Sequence, residues 1–231
     1  KTFTAVGCIK KLETIHDNLL VIISAPYSNL VDQWKQELSK WYIDSNILDA
    51  GWTKELRQEI QVSNKSIDKK LSVLICSHAK FARDEFLEII KKSKIPVMLI
   101  VDEAHHVGAG NTGKDDDGVV VTNGSRKGLS EKYQYRLGLS ATIERYFDQD
   151  GTDFIRNYFS GSSGKSTVYT MSLKQAIEQD KLCRYNYYPY FVELTSDEFY
   201  EYKRLTKLAV SYLSSKNYED RIKGENLIIK R

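Results

Sequence analysis

The chain has 231 residues, 41% of them hydrophobic and 28% charged, enough for one sizeable α/β domain or a domain with an appendage. No apolar run approaches the ~18 residues of a membrane span, no leader pattern opens the chain, and the three scattered cysteines (Cys8, Cys76, Cys183) exclude a disulfide framework and point to a reducing, cytoplasmic compartment. A net charge of +3 with a pI near 8.5 permits nucleic-acid binding without indicating it, so any phosphate-binding surface must be local.

In chain order, the first segment reads as a helix over residues 2–14. Residues 19–24 (LLVIIS) follow as a buried strand, then a helix over 29–41, a short edge strand near 48–50 and a helix over 54–63. Residues 71–76 (LSVLIC) form the next strand, followed by a helix over 80–93 and a strand over 97–101 (VMLIV). Residues 108–128 read as a long Gly-rich loop with three consecutive aspartates, its centre expected to be disordered. A strand over 135–139 (YRLGL) follows. Near-continuous apolar strands separated by helices predict a parallel sheet covered on both faces. In such sheets ligands bind at the carboxyl ends of the strands. Beyond the small, polar stretch 161–167, a short helix over 172–179, a Tyr-rich extended strand over 184–194 and a helix over 197–214 capped by Thr195 or Ser196 complete the pattern. Cys8 and Cys76 lie in apolar segments and read as buried thiols.

The polar residues fall where such a sheet needs them. Asp102-Glu103-Ala104-His105 follows VMLIV directly. A carboxylate at that strand end can reach a nucleotide-bound Mg²⁺, and a second beside it can position or deprotonate an attacking water. Ser140-Ala141-Thr142 follows the last strand. Together, D-E-A-H and S-A-T after successive strands resemble the superfamily-two helicases and translocases, in the branch that includes type III restriction subunits. Leu139 to Arg145 is similar to that branch's third motif, with Ile143 where proline is usual. The resemblance implies that Asp102 helps hold Mg²⁺, that Glu103 activates water and that His105 links two networks. It also implies that Ser140, Thr142 and Arg145 couple nucleotide state to nucleic-acid binding. His106 receives no role.

Lys1-Thr2 opens the first helix and looks like the end of the family's G-x-x-x-x-G-K-T phosphate loop, cut within the motif. By that resemblance Lys1 reaches the β/γ-phosphates of ATP and the Thr2 hydroxyl binds Mg²⁺. Both chain ends read as cut, so the isolated chain is expected to bind ATP poorly and to lack measurable ATPase activity. Gly161 to Thr167 imitates a phosphate loop, but Phe159 stands where the motif needs its first glycine and no strand precedes it. Ala25-Pro26-Tyr27-Ser28 and the following Gln33-Trp34 resemble the family's motif Ia, whose turn contacts nucleic-acid backbone. Ser77 and His78 resemble a further backbone-contacting segment, with Ser77 as helix cap the equal alternative. Leu30 and Trp34 read as core.

The expected architecture is therefore a RecA-like P-loop NTPase domain over 1–160 and a strand–helix connector over 161–231 leading to a second RecA-like motor domain. The expected function is an ATP- and Mg²⁺-dependent helicase or translocase on nucleic acid, DNA rather than RNA, with no membrane partner. The alternative is a nucleic-acid-binding or interaction module with vestigial ATPase activity, against which the retained Asp102, Glu103, Ser140 and Thr142 speak.

Overall fold

A computed structural model of the chain describes residues 1–110, 112–114, 120–122, 124–145, 148–160, 169–213, 220, 223, 224, 226 and 227. The aspartate run at 115–117 and the imitation phosphate loop at 161–167 lie outside these residues. In order, the elements are α1 (Thr2–Glu13), β1 (Asn18–Ala25), α2 (Ser28–Ser39), β2 (Asn46–Ile47), α3 (Trp52–Lys65), β3 (Lys70–Ser77), α4 (His78–Phe81), α5 (Asp84–Ile90) and β4 (Val97–Val101). A 3-10 turn (Ala104–Gly108), β5 (Thr112–Lys114), β6 (Val120–Thr122), a second 3-10 turn (Gly124–Gly128), β7 (Tyr135–Gly138) and α6 (Gln149–Ser160) follow. Last come α7 (Leu173–Glu178) and α8 (Ser196–Leu213). By packing, the chain divides into two units, Lys1–Thr170 and Met171–Arg231.

The first unit is the expected α/β arrangement. Its sheet has the order β2-β3-β1-β4-β7, and every pairing is parallel. Strand alternation sorts the core into two layers. Leu19, Val21 and Ile23 pack with Ala5, Ile9 and Leu12 of α1 and with Trp34 and Leu38 of α2. Leu20 and Ile22 point the other way, onto Leu56 and Ile60 of α3 and Phe86 and Ile90 of α5. Both faces of β1 are thus buried, which is why its sequence runs apolar without a break. The helices follow from the same logic: apolar residues at positions 5, 9 and 12 of α1 form one stripe.

Several elements differ from expectation. The edge strand lies at Asn46–Ile47, and Leu48 extends it by donating its N–H to Ile75 O at 2.8 Å. The single helix expected over 80–93 is two short ones, because Arg83 is extended (φ −76°, ψ 136°) and interrupts the hydrogen-bond ladder. The described part of 108–128 is ordered by two 3-10 turns and an antiparallel β5–β6 pair, Thr112 opposite Thr122. Helix α6 was not foreseen. Cys76 is buried, whereas Cys8 is only half-buried and Cys183 is exposed.

In the second unit, α7 opens on a capping box: Ser172 Oγ accepts from Gln175 N (3.2 Å) and Gln175 Oε1 from Ser172 N (2.9 Å). Thr195 and Glu198 cap α8 reciprocally, at 3.4 and 2.8 Å. The strand expected over 184–194 does not form. Among the described residues no neighbouring strand pairs with it, and Tyr185, Tyr187, Tyr188 and Tyr190 are all exposed. No helix among the described residues is long and apolar enough to cross a membrane.

Candidate functional site

β4 lies between β1 and β7, and its carboxyl end is stitched to both. Asp102 N donates to Ser24 O (2.8 Å), Leu139 N to Val101 O (2.9 Å) and Ala104 N to Leu139 O (2.8 Å). These bonds bring the turns after three strands to one edge. Glu103 makes the change from strand to 3-10 turn in the left-handed region, at φ 45° and ψ 53°. For a residue with a Cβ that conformation costs about 1–2 kcal/mol. It is held by the Ala104 bond and by Glu103 N donating to Asp102 Oδ1 at 3.0 Å. Such retained strain is typical of working sites.

Charge converges on this turn. Lys1 Nζ lies 2.5 Å from Glu103 Oε1, although the residues are 102 positions apart. Asp102 Oδ2 accepts from the Trp34 indole N–H at 2.9 Å. Thr2, Gln33, Trp34, Glu37 and Asp102 line one small recess. Its hydroxyl and carboxylate oxygens suit a hard cation such as Mg²⁺, which binds through one or two carboxylates and keeps several waters. No group of three or more His, Cys, Asp or Glu that could hold a metal ion occurs among the described residues.

His105 joins the acidic turn to the S-A-T turn. Its Nδ1 is 2.9 Å from Ser140 Oγ and 3.5 Å from Glu103 Oε2. Partial burial, then the proximity of His106, Arg145 and Lys1, holds its imidazole below the ordinary histidine range against the pull of Glu103. Ser140 Oγ in turn donates to Thr142 O. Arg145 donates through Nη1 to His105 O, through Nε to Asp148 Oδ2 (2.7 Å) and through its backbone N–H to Thr152 Oγ1 (2.9 Å). Hydrogen bonds from Arg145 and from Gly151 N–H keep the Asp148 carboxyl below the usual carboxylate range.

The residues expected at nucleic acid divide. Pro26, Tyr27 and Ser28 form the turn from β1 into α2, with Tyr27 and Ser28 exposed. Ser77 caps α4, accepting from Lys80 N at 3.3 Å. His78 is corrected: it is only 6% exposed, with Nδ1 2.6 Å from Ser24 Oγ, so its imidazole belongs to the core and presents nothing to a surface phosphate. Burial, with lesser contributions from His106 and His105, pushes its pKa down to about 4. Sequence reasoning missed Ser24 and Trp34 as supports of the site. The one available signal was the Trp34 indole, a donor that needs a partner when buried.

A parallel sheet, helices on both faces and polar turns gathered at the strands' carboxyl ends define the RecA-like α/β class. Within it, the type III restriction enzyme res-subunit family matches residues 1–145, and the chain belongs to that family. The family is helicase-like, with ATP-dependent action on nucleic acid. No curated protein matches the chain. Three solution NMR structures of de novo designed proteins with the P-loop NTPase fold are similar at 17%, 16% and 12% identity. They cover 63%, 63% and 73% of this chain and 93%, 92% and 98% of their own, with TM-scores of 0.34, 0.33 and 0.33. Scores this low add nothing to the sheet order and packing described above.

Proposed function

We propose that the protein is the hydrolytic part of an ATP-driven motor that moves along or opens DNA. The observation that carries this reading is the meeting of Lys1 and Glu103 at 2.5 Å, beside a recess shared by Thr2 and Asp102. Lys1 exchanges the Glu103 carboxylate for phosphate oxygens of ATP, which leaves Glu103 free to orient the attacking water and hold its proton. The Thr2 hydroxyl and the Asp102 carboxylate, the latter fixed by the Trp34 N–H, hold Mg²⁺. An ion held by these two residues would supply positive charge against that developing on the phosphate oxygens. His105 reports the state of this turn to Ser140 and Thr142. DNA is favoured over RNA by the likeness to the res subunit of type III restriction enzymes, a branch that is mostly DNA-directed. A second RecA-like domain supplies the arginine that meets transition-state charge, since Arg145 is committed to His105 and Asp148.

In the full-length protein, Glu103→Gln is expected to lower nucleic-acid-dependent phosphate release by about 10²- to 10⁴-fold, the usual contribution of a positioned base. Affinity for a fluorescent ATP analogue is expected to persist. Turnover at the parent rate in this variant overturns the assignment.

A further inference from the structure

His106 has no place in the mechanism above, yet its ring touches both His105 of that mechanism and Tyr27 of the turn expected at nucleic acid. It lies 4.3 Å from the His105 ring, centroid to centroid, at an interplanar angle of 35°. It also meets the Tyr27 ring edge-on, at 6.0 Å and 76°. Its backbone N–H donates to Glu103 O at 2.9 Å, the carbonyl of the left-handed residue. Tyr27 is 59% exposed, and its carbonyl is fixed by Leu30 N and Val31 N at 3.1 Å each. An exposed aromatic on a rigid helix start is thus linked through one imidazole to the turn that carries Glu103.

We propose that His106 is a positioning residue that transmits occupancy of the Tyr27 turn by the DNA backbone to His105 and Glu103. The inference rests on the reading that hydrolysis answers to nucleic acid. Tyr27 can be displaced by a ligand because solvent covers more than half of it. Its ring contact makes His106 the first group to respond. His106 cannot shift without disturbing the ring it stacks on, and His105 contacts both Ser140 and Glu103. Glu103 is the susceptible end, because a left-handed non-glycine backbone persists only while its surroundings hold it there. The path is a contiguous set of ring and hydrogen-bond contacts, and it becomes a coupling only if a mutant cycle finds one.

The test uses the full-length protein, with an oligodeoxythymidine and a short DNA duplex as probes. ATP hydrolysis is measured without DNA and at saturating DNA, and probe affinity by fluorescence anisotropy. His106→Ala is expected to lower the ratio of stimulated to unstimulated hydrolysis by about fivefold or more, the range of ordinary allosteric coupling. His106→Phe, which keeps a flat ring beside Tyr27 and His105, is expected to restore most of that ratio, whereas His106→Leu, of similar bulk but without a ring, is not; equal rescue by both reduces the residue to packing and overturns the inference. Tyr27→Leu reads the same contact from its exposed side and keeps the test open should His106→Ala fail to fold. It too must lower the ratio at saturation, and the Tyr27→Leu/His106→Ala double variant must lose no more than the worse single one. Parent-like stimulation in the folded variants, or losses that multiply in the double variant, overturns this inference and leaves the proposed function standing. A parent protein whose hydrolysis ignores both probes overturns the two together.

Discussion

His78 enters the core beside Ser24, and burial pushes its pKa from the ordinary 6.5 down to about 4. The unfolded chain therefore binds a proton between pH 6.5 and 4 that the folded chain refuses. The stability this neutral imidazole contributes is fully present above pH 6.5 and is lost as pH falls toward 4, by up to about 3 kcal/mol. Urea titrations across that window are expected to show a slope that His78→Asn flattens; coincident pH profiles for parent and variant would contradict it. The residues flanking the site show how much of it was legible. Asp102, Glu103, His105 and Ser140 stand out in the sequence because their types and places after strands suggest a chemistry, and the fold brings them to one sheet edge. Ser24 and Trp34 do not, since each sits in an apolar pattern and takes its polar partner from a different strand or turn. His78 misled for the same reason: its position after β3 is that of a ligand-facing residue, but Ser24, 54 positions earlier, turns it inward.

At the scale of elements, the 3-10 turn after β4 is braced from below by α6 and by the second 3-10 turn. Arg126 links all three. Its Nε donates to Gly108 O (2.8 Å), its Nη2 lies 2.7 Å from Asp150 Oδ2, and its guanidinium covers the Phe154 ring at 4.7 Å. The pair is lopsided: the Arg126 side chain is 1% exposed and that of Asp150 79%. Removing Asp150 takes the nearest carboxylate from a buried cation, which keeps the Gly108 carbonyl and the field of Asp148, whereas an unpaired Asp150 is simply hydrated. Asp150→Ala is accordingly expected to cost about 2–3 kcal/mol in urea unfolding, well above the ~0.5 kcal/mol of an ordinary surface change. A cost within that surface range would show that the guanidinium is satisfied without it. β1, β3 and β4 were legible because burial on both faces forces unbroken apolar runs, whereas β5 and β6 lie in a segment that reads as loop. Helix α6 was passed over because its first half, QDGTD, is polar and only Ile155 and Tyr158 supply large buried side chains. The 184–194 segment erred in the opposite sense. Alternating tyrosines satisfy a strand's side-chain period, but hydrogen-bonding partners are not encoded in the segment itself.

Across the whole molecule, the two units are built on different terms. Among the described residues of the second unit, the buried hydrophobic side chains are Ala176 and Ala209 alone, while the first unit carries both core layers. Exposed backbone outside helices and strands is where proteases enter first. Limited trypsin digestion is expected to cut after Lys181 or Arg184 before any site in the sheet or its covering helices; a first cut within α1 to α5 would contradict this. The ion pair between Lys1 and Glu103 has a kinetic meaning as well. It joins positions 102 apart, and the ladder beneath it pairs Leu20 with Val97. Helices form locally within about a microsecond, but closures this long must wait for β1 to find β4. In refolding, helical circular dichroism should therefore recover ahead of the capacity to bind a fluorescent ATP analogue. The order of events in time is set by the distance in sequence between the two ends of one short contact, so a nascent chain carries no working site until the fourth strand has been made.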